Sequence, residues 1–581
     1  MSLKIYYDGD CPFCKRYVTL LRLQRANGPV ELVDLRTASE IRAALQAQGF
    51  DLDQGMVVET EDGRRVGGGD AVHALALRAT PSDWFNRFNT WVLASPRRAA
   101  LLYPILRSGR WLVLFLLGRS SLAPDNPNTG AIATVFSVFF AIFSIFHFFN
   151  YAFEYGRFPP GLDQFALLIA AFVLLFNPAS KRAFFLLIII STISAIIQAP
   201  VASNHTMVRN VLLIGYWMSF LLTMARGRHA DEVFAYFIPA GQGALLVMYF
   251  FGIFHKLNSD FINPATSCAV ALWQEMPPPL SLLDSPLMHH LAIYGTFAVE
   301  SAIIVALLTP ALRYYGVLSG IAFHLLLSLS SYAMYISFTS LVIAMHTLFL
   351  NGATARGIIE GRAYQILRSR LRQPIYLTAG ALLLFALAVT GANDQYTHVT
   401  AFALLLLLPF CMLLLHGRVP ATVIRPQQSV QFGSSWIGIT VTALFFINCM
   451  MPYFGLKTAQ TMNMFANLRL EAGASNHLLL TEPPGPFHYL EQVALITDAR
   501  DDQRLAWYAK NGYGIVYYDL VSHLAKNPES TIDFTLNGRT YQQVSAHQLQ
   551  ADIQETLHAP WVRKWFHFQP ALLTRPEPCN I

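Results

Sequence analysis

The sequence is poor in charged residues. Asp, Glu, Lys and Arg make up 13% of its 581 residues, whereas 54% are hydrophobic. Soluble domains carry about 25% charged residues, so this composition excludes an ordinary soluble protein and indicates an integral membrane protein. The net charge of +6 is small, and no basic patch is interleaved with aromatic residues. We therefore expect no nucleic-acid partner.

The N-terminal residues also lack the apolar core of a signal peptide, so we expect the N-terminus to stay in the cytoplasm. Cysteines are few, and of the six only Cys11 and Cys14 are close in sequence. A framework of structural disulfides is therefore not expected, and the Cys-x-x-Cys pair indicates redox or metal chemistry. Cys411 and Cys449 lie in apolar runs, where we expect them to pack as small hydrophobic residues.

Composition divides the chain into four regions. Residues 1–80 show a strand–helix–strand order, which predicts a small α/β domain. Residues 81–125 carry tryptophans and arginines among aliphatic residues, which is typical of an amphipathic basic helix at a membrane surface. Residues 126–455 are a series of apolar runs that predict a polytopic α-helical transmembrane domain. Residues 456–581 return to soluble composition and predict a small α+β domain with strand-like stretches at 514–520 and 531–536.

The apolar region divides into about eleven predicted transmembrane spans. Their positions are 131–150, 162–177, 183–198, 207–225, 233–254, 291–309, 315–333, 335–350, 374–391, 399–416 and 435–453. Basic residues fall in alternate loops, which are cytoplasmic by the positive-inside rule. An odd number of spans then makes the C-terminal domain extracytoplasmic. We expect a multi-pass protein of the cell (inner) membrane.

The Cys11/Cys14 pair lies where a strand-like run gives way to a helical one. A thiolate at a helix N-terminus is stabilised by backbone N–H groups and the helix dipole. Pro12 suits the first helical turn, and Cys14 is within reach as a resolving thiol. The negative charge of Asp10 acts against the thiolate. Thiol–disulfide exchange, structural thiols and metal binding are the alternatives, but no second Cys or His pair stands at zinc-ligand spacing, so we predict no metal.

Residues 7–14 read Tyr-Asp-Gly-Asp-Cys-Pro-Phe-Cys. They resemble the signature Tyr-Asp-Gly-x-Cys-x-x-Cys of the DCC family of thiol-disulfide oxidoreductases, over residues 3–80 and including the Gly-Gly-Gly-Asp-Ala element at 67–71. The resemblance implies a thioredoxin-like domain in which Cys11 and Cys14 are catalytic. In one departure, residues 37–80 contain no proline to supply the cis-proline that usually faces a thioredoxin active site.

A second group of polar residues lies in the transmembrane region. Lys256 ends an apolar run in the sequence Lys-Leu-Asn-Ser-Asp-Phe, while Glu300 and His324 each lie in the middle of a predicted span. Lys256 is either a snorkelling anchor or a partly desolvated lysine able to act as a base. Glu300 and His324 either make structural hydrogen bonds or line a polar cavity. The topology places Asn204 and His205 on the same membrane side as Lys256.

These residues resemble the vitamin K-dependent γ-carboxylase family, or horizontally transferred transmembrane domain, over residues 130–480. Lys256 is similar to the family's catalytic lysine, and Asn204-His205 to its Asn-His pair at the quinone site. Glu300 and His324 match an acid and a Phe-His in the spans that follow. The resemblance implies a vitamin K-type hydroquinone, O2 and possibly CO2 as cofactors. It implies Lys256 and His205 as catalytic residues, and Asn204, His205, Glu300 and His324 as cofactor-binding residues.

Three functions are therefore open. The chain could be a membrane redox enzyme that epoxidises a quinol, with or without Glu carboxylation. It could be a cytoplasmic protein-disulfide reductase held by a non-catalytic membrane domain, or a transporter or export component. The expected partners are membrane lipid, a quinone, and a thiol/disulfide protein or a Glu-containing peptide. We expect the two sites to act independently, and the C-terminal domain to act as a cap or docking surface.

Overall fold

The computed structural model describes residues 3–20, 29–119, 122, 126–149, 161–199, 203–330, 335–376, 378–380, 382, 407–415, 435–482, 485–499, 501–573 and 579. By its internal contacts the chain separates into two compact units. The first comprises Met1–Gly130 and Tyr216–Phe237, and the second comprises Ala131–Gly215 and Ile238–Ile581.

A four-stranded sheet organises the first unit. Its order is β2-β1-β3-β4, with β1 and β2 parallel and the other neighbours antiparallel. Helix α1 links the two parallel strands, as a crossover between parallel neighbours requires. This confirms the predicted small α/β domain. Its elements are β1 Leu3–Tyr7, α1 Pro12–Leu20, β2 Val30–Asp34, α2 Ser39–Ala47, β3 Val57–Glu59, β4 Arg65–Gly67 and α3 Gly68–Leu77.

Two further helices, α4 (Trp84–Leu93) and α5 (Pro96–Leu117), pack against this sheet. Val92, Leu93 and Ala99 are buried in the same hydrophobic core as β1 and α3. The segment predicted as an interfacial linker, 81–125, thus supplies part of the N-terminal core, so this core extends beyond residue 80. Local sequence could not reveal this, because an amphipathic helix has the same pattern against a sheet as against a membrane.

The other face of α4 and α5 remains apolar and exposed. Large hydrophobic side chains project from it, namely Trp84, Phe88, Trp91, Leu101, Ile105 and Leu106. Helix α5 is also long and apolar enough to cross a membrane. It ends at Gly118, whose left-handed backbone, with φ of 68°, forms the C-cap.

Among the described residues, seven helices are long and apolar enough to span a membrane, or eight if one bent pair is a single span. They are α5, α6 Pro127–Phe149, α8 Lys181–Gln198, α9 Asn204–Arg226, α10 Glu232–Phe254, α13 Pro286–Leu308 and α19 Trp436–Met450 with the 3-10 turn Met451–Phe454. The bent pair is α15 Tyr335–Thr347 with α16 Gly352–Glu360. The remaining helices before the C-terminal sheet are α7 Leu162–Phe176, α11 Ser259–Ile262, α12 Cys268–Gln274, α14 Arg313–Leu327, α17 Arg362–Leu371 and α18 Leu408–Leu415.

The prediction of eleven spans is therefore not confirmed. Six predicted spans correspond to candidate spanning helices, those at 131–150, 183–198, 207–225, 233–254, 291–309 and 435–453. Those at 162–177 and 315–333 form the shorter helices α7 and α14, and 335–350 belongs to the bent pair. The spans at 374–391 and 399–416 lie mostly outside the described residues. Helix α5 is a candidate that was not predicted to span.

The C-terminal region contains a five-stranded antiparallel sheet in the order β8-β7-β5-β6-β9. The strand predicted at 531–536 is confirmed as β7, whereas 514–520 is strand only at its start and then becomes helix. The elements are β5 Val493–Asp498, α20 Gln503–Asn511, β6 Tyr513–Val516, α21 Tyr517–Lys526, β7 Ile532–Leu536, β8 Arg539–Val544, α22 Gln550–Thr556, α23 Pro560–Arg563 and β9 Ala571–Leu572.

One disulfide joins Cys268 to Cys579, 311 residues later. The sequence predicts no framework of disulfides, and this one long-range bond is a link that the cysteine spacing did not indicate. Both cysteines pack in an apolar cluster with Phe261, Ile293 and Phe465. Cys411 and Cys449 are buried and not disulfide-bonded, which agrees with a packing role.

Candidate functional sites

The thiol pair lies at the start of α1. Cys11 immediately precedes the helix, and the backbone N–H of Cys14, in its first turn, donates a hydrogen bond to Cys11 Sγ at 3.1 Å. A hydrogen bond from the Cys14 thiol and the positive charge of Arg110 lower the pKa of Cys11 to about 6. The same thiol hydrogen bond, together with burial, raises the pKa of Cys14. Cys11 is therefore the thiolate at neutral pH, and Cys14 keeps its proton.

Arg110, on α5, is a site residue that sequence reasoning missed. Its Nε donates to Cys14 Sγ at 3.3 Å, and its Nη2 lies 3.1 Å from Asp8 Oδ2. Asp8 also forms an ion pair with Arg36, at 2.8 Å. The positive charges of Arg36 and Arg110 therefore balance the negative charges of the Asp8 carboxylate and the Cys11 thiolate. Arg110 is buried. The sequence has no local signal that separates it from the other arginines of residues 83–119.

The structure also explains the glycine in the Tyr-Asp-Gly part of the motif. The Gly9 N–H donates to Asp34 Oδ1 at 3.0 Å, and a Cβ on Gly9 would lie 1.9 Å from Asp34 Oδ2. Only glycine permits this approach. Asp10, expected to disfavour the thiolate, pairs with Arg36 at 3.5 Å and with Arg119 at 3.7 Å. These partners offset its negative charge.

Both sulfurs are shielded from solvent. Cys11 is 0% and Cys14 6% exposed, whereas Phe13 between them is exposed. Side chains from α5 bind the loop that enters β3, because Tyr103 donates to the Gln54 carbonyl at 2.7 Å and Arg110 donates to the Asp53 carbonyl. Helix α5 is thus held against this loop, which belongs to the segment 37–80 that contains no proline. A disulfide substrate can reach Cys11 Sγ only after part of this cover moves.

Lys256 is not a snorkelling residue. Its Nζ donates to Glu300 Oε1 at 2.6 Å, and the two side chains are only 12% and 8% exposed. The ammonium therefore lies inside the second unit, paired with the acid from α13. Phe261 faces it, with the ring centroid 5.8 Å from Nζ.

The residues around Lys256 hold its backbone in place. Asn258 Oδ1 accepts from the Phe261 N–H at 2.8 Å, and its Nδ2 donates to the carbonyls of His255 and Ala466 at 2.8 and 2.6 Å. The Ser259 N–H donates to the Asn476 carbonyl at 3.0 Å. The Lys-Leu-Asn-Ser-Asp-Phe sequence thus fixes the turn that directs Lys256 toward Glu300.

The Lys256–Glu300 pair lies in the wall of a cavity of about 310 Å³. The cavity is mostly apolar, and its polar side chains are those of Asn204, Tyr249, Thr296 and His324 in addition to the pair. Its apolar lining comes from methionines and aromatic residues, among them Met248, Met276, Met462, Trp273, Phe323 and Phe465. Its volume is at the lower end of the range for small-molecule sites, about 300–1,000 Å³. Four predicted site residues, Lys256, Asn204, Glu300 and His324, therefore meet at one cavity.

The structure does not bring His205 to this cavity. Its side chain is fully buried and faces His147, with ring centroids 5.5 Å apart. His147 in turn accepts a hydrogen bond at Nε2 from Arg209, 3.0 Å away. Successive residues of a helix point about 100° apart, so Asn204 reaches the cavity while His205 faces the neighbouring helices. Asn204 is oriented by the Met462 N–H, which donates to its Oδ1 at 2.9 Å.

Over the residues described, no group of three or more His, Cys, Asp or Glu side chains is arranged to hold a metal ion. Comparison with protein families identifies residues 5–114 as a DCC1-like thiol-disulfide oxidoreductase domain. The match extends past residue 80 and includes α4 and most of α5, in agreement with the packing of these helices into the N-terminal core. No curated protein and no solved structure matches the chain.

Proposed function

Because residues 5–114 form a DCC1-like thiol-disulfide oxidoreductase domain, we propose that the protein is an integral-membrane oxidoreductase whose Cys11 and Cys14 exchange electrons with a substrate disulfide. The observation that carries this proposal is the arrangement at the start of α1, where the Cys14 N–H donates to Cys11 Sγ and the buried Arg110 donates to Cys14 Sγ, and this arrangement agrees with a pKa of Cys11 lowered to about 6. Cys11 is the attacking thiolate and Cys14 the resolving thiol.

The proposed exchange is balanced in electrons and protons. The Cys11 thiolate attacks the substrate disulfide, forms a mixed disulfide and releases one substrate thiolate, which takes a proton from water. Cys14 then attacks Cys11 Sγ, loses its proton, and releases the second substrate thiol. The domain ends as a Cys11–Cys14 disulfide, and the substrate has gained two electrons from the pair, one proton from Cys14 and one proton from water. A cellular dithiol must reduce the pair again.

The test is disulfide reduction by the purified full-length protein in detergent, with a dithiol as electron source. Wild-type protein should reduce a model protein disulfide, and Cys11→Ser should abolish the activity. Equal rates for Cys11→Ser, Cys14→Ser and wild type would contradict the proposal and favour structural thiols.

We infer a second redox site in the membrane cavity, where a hydroquinone of the vitamin K type would bind. A polar end with an ammonium–carboxylate pair, opposite an apolar and aromatic lining, suits a ring with a hydroxyl at one end and a hydrophobic body. When bound, this ligand would supply two electrons for reaction with O2 to give an epoxide, with or without carboxylation of a Glu-containing peptide.

Lys256 and Glu300 would act together on the hydroxyl proton. Through the 2.6 Å hydrogen bond, Lys256 Nζ would give one of its protons to the Glu300 carboxylate as it takes the proton of the ligand hydroxyl. His205 does not line the cavity, so Asn204 and His324 are the predicted site residues that would orient the ligand there beside the Lys256–Glu300 pair.

The test is O2 uptake driven by a naphthohydroquinone, measured on the full chain in lipid nanodiscs. Lys256→Ala should abolish the enzymatic rate, while the exposed Lys510→Ala should not change it. Unchanged uptake by Lys256→Ala would refute the base. Absence of wild-type uptake would leave a disulfide reductase with a non-catalytic membrane domain, or a transporter, as the function. Incorporation of labelled CO2 into a Glu peptide separates carboxylation from epoxidation alone.

We also propose that the cavity opens on the extracytoplasmic side of the cell membrane. The Cys268–Cys579 disulfide favours an oxidising compartment. The Lys256 segment lies on the same side as the C-terminal region, because Asn258 forms a β-bridge with His477. The N-terminal thiols remain cytoplasmic in this proposal, so the two redox sites act independently.

A further inference from the structure

The cavity beside Lys256 continues along one flank of helix α13. Leu291, Gly295 and Val299 line it at intervals of four residues, and Glu300 follows Val299 directly. With a rise of 1.5 Å per residue, Leu291 lies about 14 Å along the helix axis from Glu300. The cavity therefore extends well beyond the Lys256–Glu300 pair.

The lining residues of α13 turn from the inside of the protein to its outside. Successive residues of a helix are about 100° apart, so Leu291 lies about 180° around α13 from Glu300, with Gly295 and Val299 between them. Glu300 is buried, whereas Leu291 and the neighbouring Tyr294 are exposed. Helix α13 is long and apolar enough to cross a membrane, so its exposed apolar side chains face lipid. The cavity thus passes around the flank of α13 to the lipid-facing surface.

Helix α14 forms the opposite side of this opening. The two helices touch near the turn that joins them, because a Cβ on Gly316 of α14 would lie 2.9 Å from Cβ of Ala306 on α13. Ten residues further from this contact on each helix, Thr296 and Leu326 both line the cavity. Leu326 is exposed, as Leu291 is. The helices are therefore packed tightly at one end and are separated by the cavity at the other.

Gly295 leaves the opening unobstructed. This residue lines the cavity, yet a Cβ added to it would have no atom within 4 Å. The space beside it is therefore open. Glycine lowers the stability of a helix relative to alanine, so a larger residue would be tolerated by α13 itself and would extend into the opening.

We propose that the cavity opens sideways into the lipid between α13 and α14, and that Gly295 selects ligands whose ring carries a long apolar chain. This inference rests on the proposed ring site in the cavity. The ring hydroxyl lies at the Lys256–Glu300 pair, and the chain leaves past Gly295 toward Leu291 and the bilayer. Such a ligand dissolves in the membrane and enters from it, whereas a polar chain would lose its hydration in this apolar opening.

The test compares two tritiated probes that share the ring and the hydroxyl, 1-naphthol and 2-dodecyl-1-naphthol. Their binding to the immobilised full chain in detergent is measured by scintillation proximity. Each probe is compared between variants, so its partition into micelles cancels. Wild-type protein should bind both probes.

Gly295→Leu should weaken binding of the dodecyl probe and leave 1-naphthol binding unchanged. Its side chain takes the space of the ligand chain, and forcing extra atoms into a filled space should raise Kd by about tenfold or more. Unchanged 1-naphthol binding shows that the ring site is intact. Ala298→Leu is the matched control, because Ala298 is exposed on the same helix but does not line the cavity. This variant should bind both probes as wild-type protein does.

The outcomes separate this inference from the ring site. If wild-type protein binds neither probe, the cavity is not an aromatic ligand site and the second redox site fails with it. If wild-type protein binds only 1-naphthol, or if Gly295→Leu weakens both probes equally or neither, the sideways opening is refuted while the ring site stands. An equal loss of dodecyl binding in Ala298→Leu would also refute it, because that residue lies outside the opening.

Discussion

Arg110 Nε donates a hydrogen bond to Cys14 Sγ at 3.3 Å, although the two residues are 96 positions apart. This contact joins α5 to the Cys-x-x-Cys motif and supplies the positive charge that a thiolate needs in a buried site. The chemistry of the thiol pair therefore depends on a helix well outside the motif.

Replacing Arg110 should lower the fraction of Cys11 that is a thiolate at neutral pH. The hydrogen bond from the Cys14 thiol is the largest cause of the lowered pKa of Cys11, about 6, and the Arg110 charge adds to it. In Arg110→Met that charge is lost, so this pKa should rise toward its ordinary value. Alkylation of Cys11 by iodoacetamide at pH 7 should slow by about tenfold. In wild-type protein the rate should fall as the pH drops below about 6. The exposed Arg97→Met is the control, and an equal loss there would show that overall charge, not the contact, is responsible.

The two cysteines should differ in function. Cys14→Ser keeps the attacking Cys11 but lacks the resolving thiol, so it should accumulate a mixed disulfide with a small disulfide reagent. Cys11→Ser should not, because burial still raises the pKa of Cys14 after its hydrogen bond to the Cys11 thiol is lost. Intact-protein mass spectrometry measures the adduct. Equal trapping by both variants would contradict the assignment of Cys11 as nucleophile.

The effects of replacing Lys256 and Glu300 on the free energy of unfolding should be strongly coupled. Removing one member of a buried pair leaves the other charge unpaired, which costs about 3–5 kcal/mol. Lys256→Met and Glu300→Gln should each lower the free energy of unfolding by this amount, and the double variant by clearly less than their sum. Denaturant unfolding in detergent measures the cycle, with Lys510→Met as a surface control. Additive effects would mean that the 2.6 Å contact contributes little.

Thiol counting should detect the Cys268–Cys579 bond. After unfolding without reductant, protein whose Cys11 and Cys14 are reduced should react with four maleimides, at Cys11, Cys14, Cys411 and Cys449. Prior reduction should raise the count to six. A count of six before reduction would exclude the disulfide, and with it the argument for an oxidising compartment.

Local motifs were the part of the site that the sequence could predict. The Cys-x-x-Cys pair and the Lys-Leu-Asn-Ser-Asp-Phe sequence at Lys256 are motifs of a few neighbouring residues, and the intramembrane Glu300 and His324 stand out because charge and polarity are rare in a span. These residues could be named without knowing the fold. Within the described residues, the predicted spans at 162–177 and 315–333 are shorter helices and 335–350 belongs to a bent pair, because apolar runs alone do not fix where a helix breaks or bends.

Long-range contacts were the part that the sequence could not predict. Cys268 and Cys579 have no local feature that links them across 311 residues. Arg110 looks like any other arginine of an amphipathic helix. His205 shows the opposite case, since proximity to Asn204 in sequence suggested a shared site, but the turn of the helix carries the two side chains in different directions.

The packing of α5 has a practical consequence for the biochemistry of the thiol pair. A fragment ending at residue 80 would lose Arg110 and expose the apolar residues of the sheet and α3 that Val92, Leu93 and Ala99 cover. Extending it to Leu117 would restore the site but carry the tryptophan-rich outer face of α4 and α5 into water, where exposed apolar patches favour aggregation. Poor solubility of such fragments would thus follow from the exposed apolar face of α4 and α5. The reactivity of Cys11 is therefore best measured on the whole polypeptide in detergent or lipid.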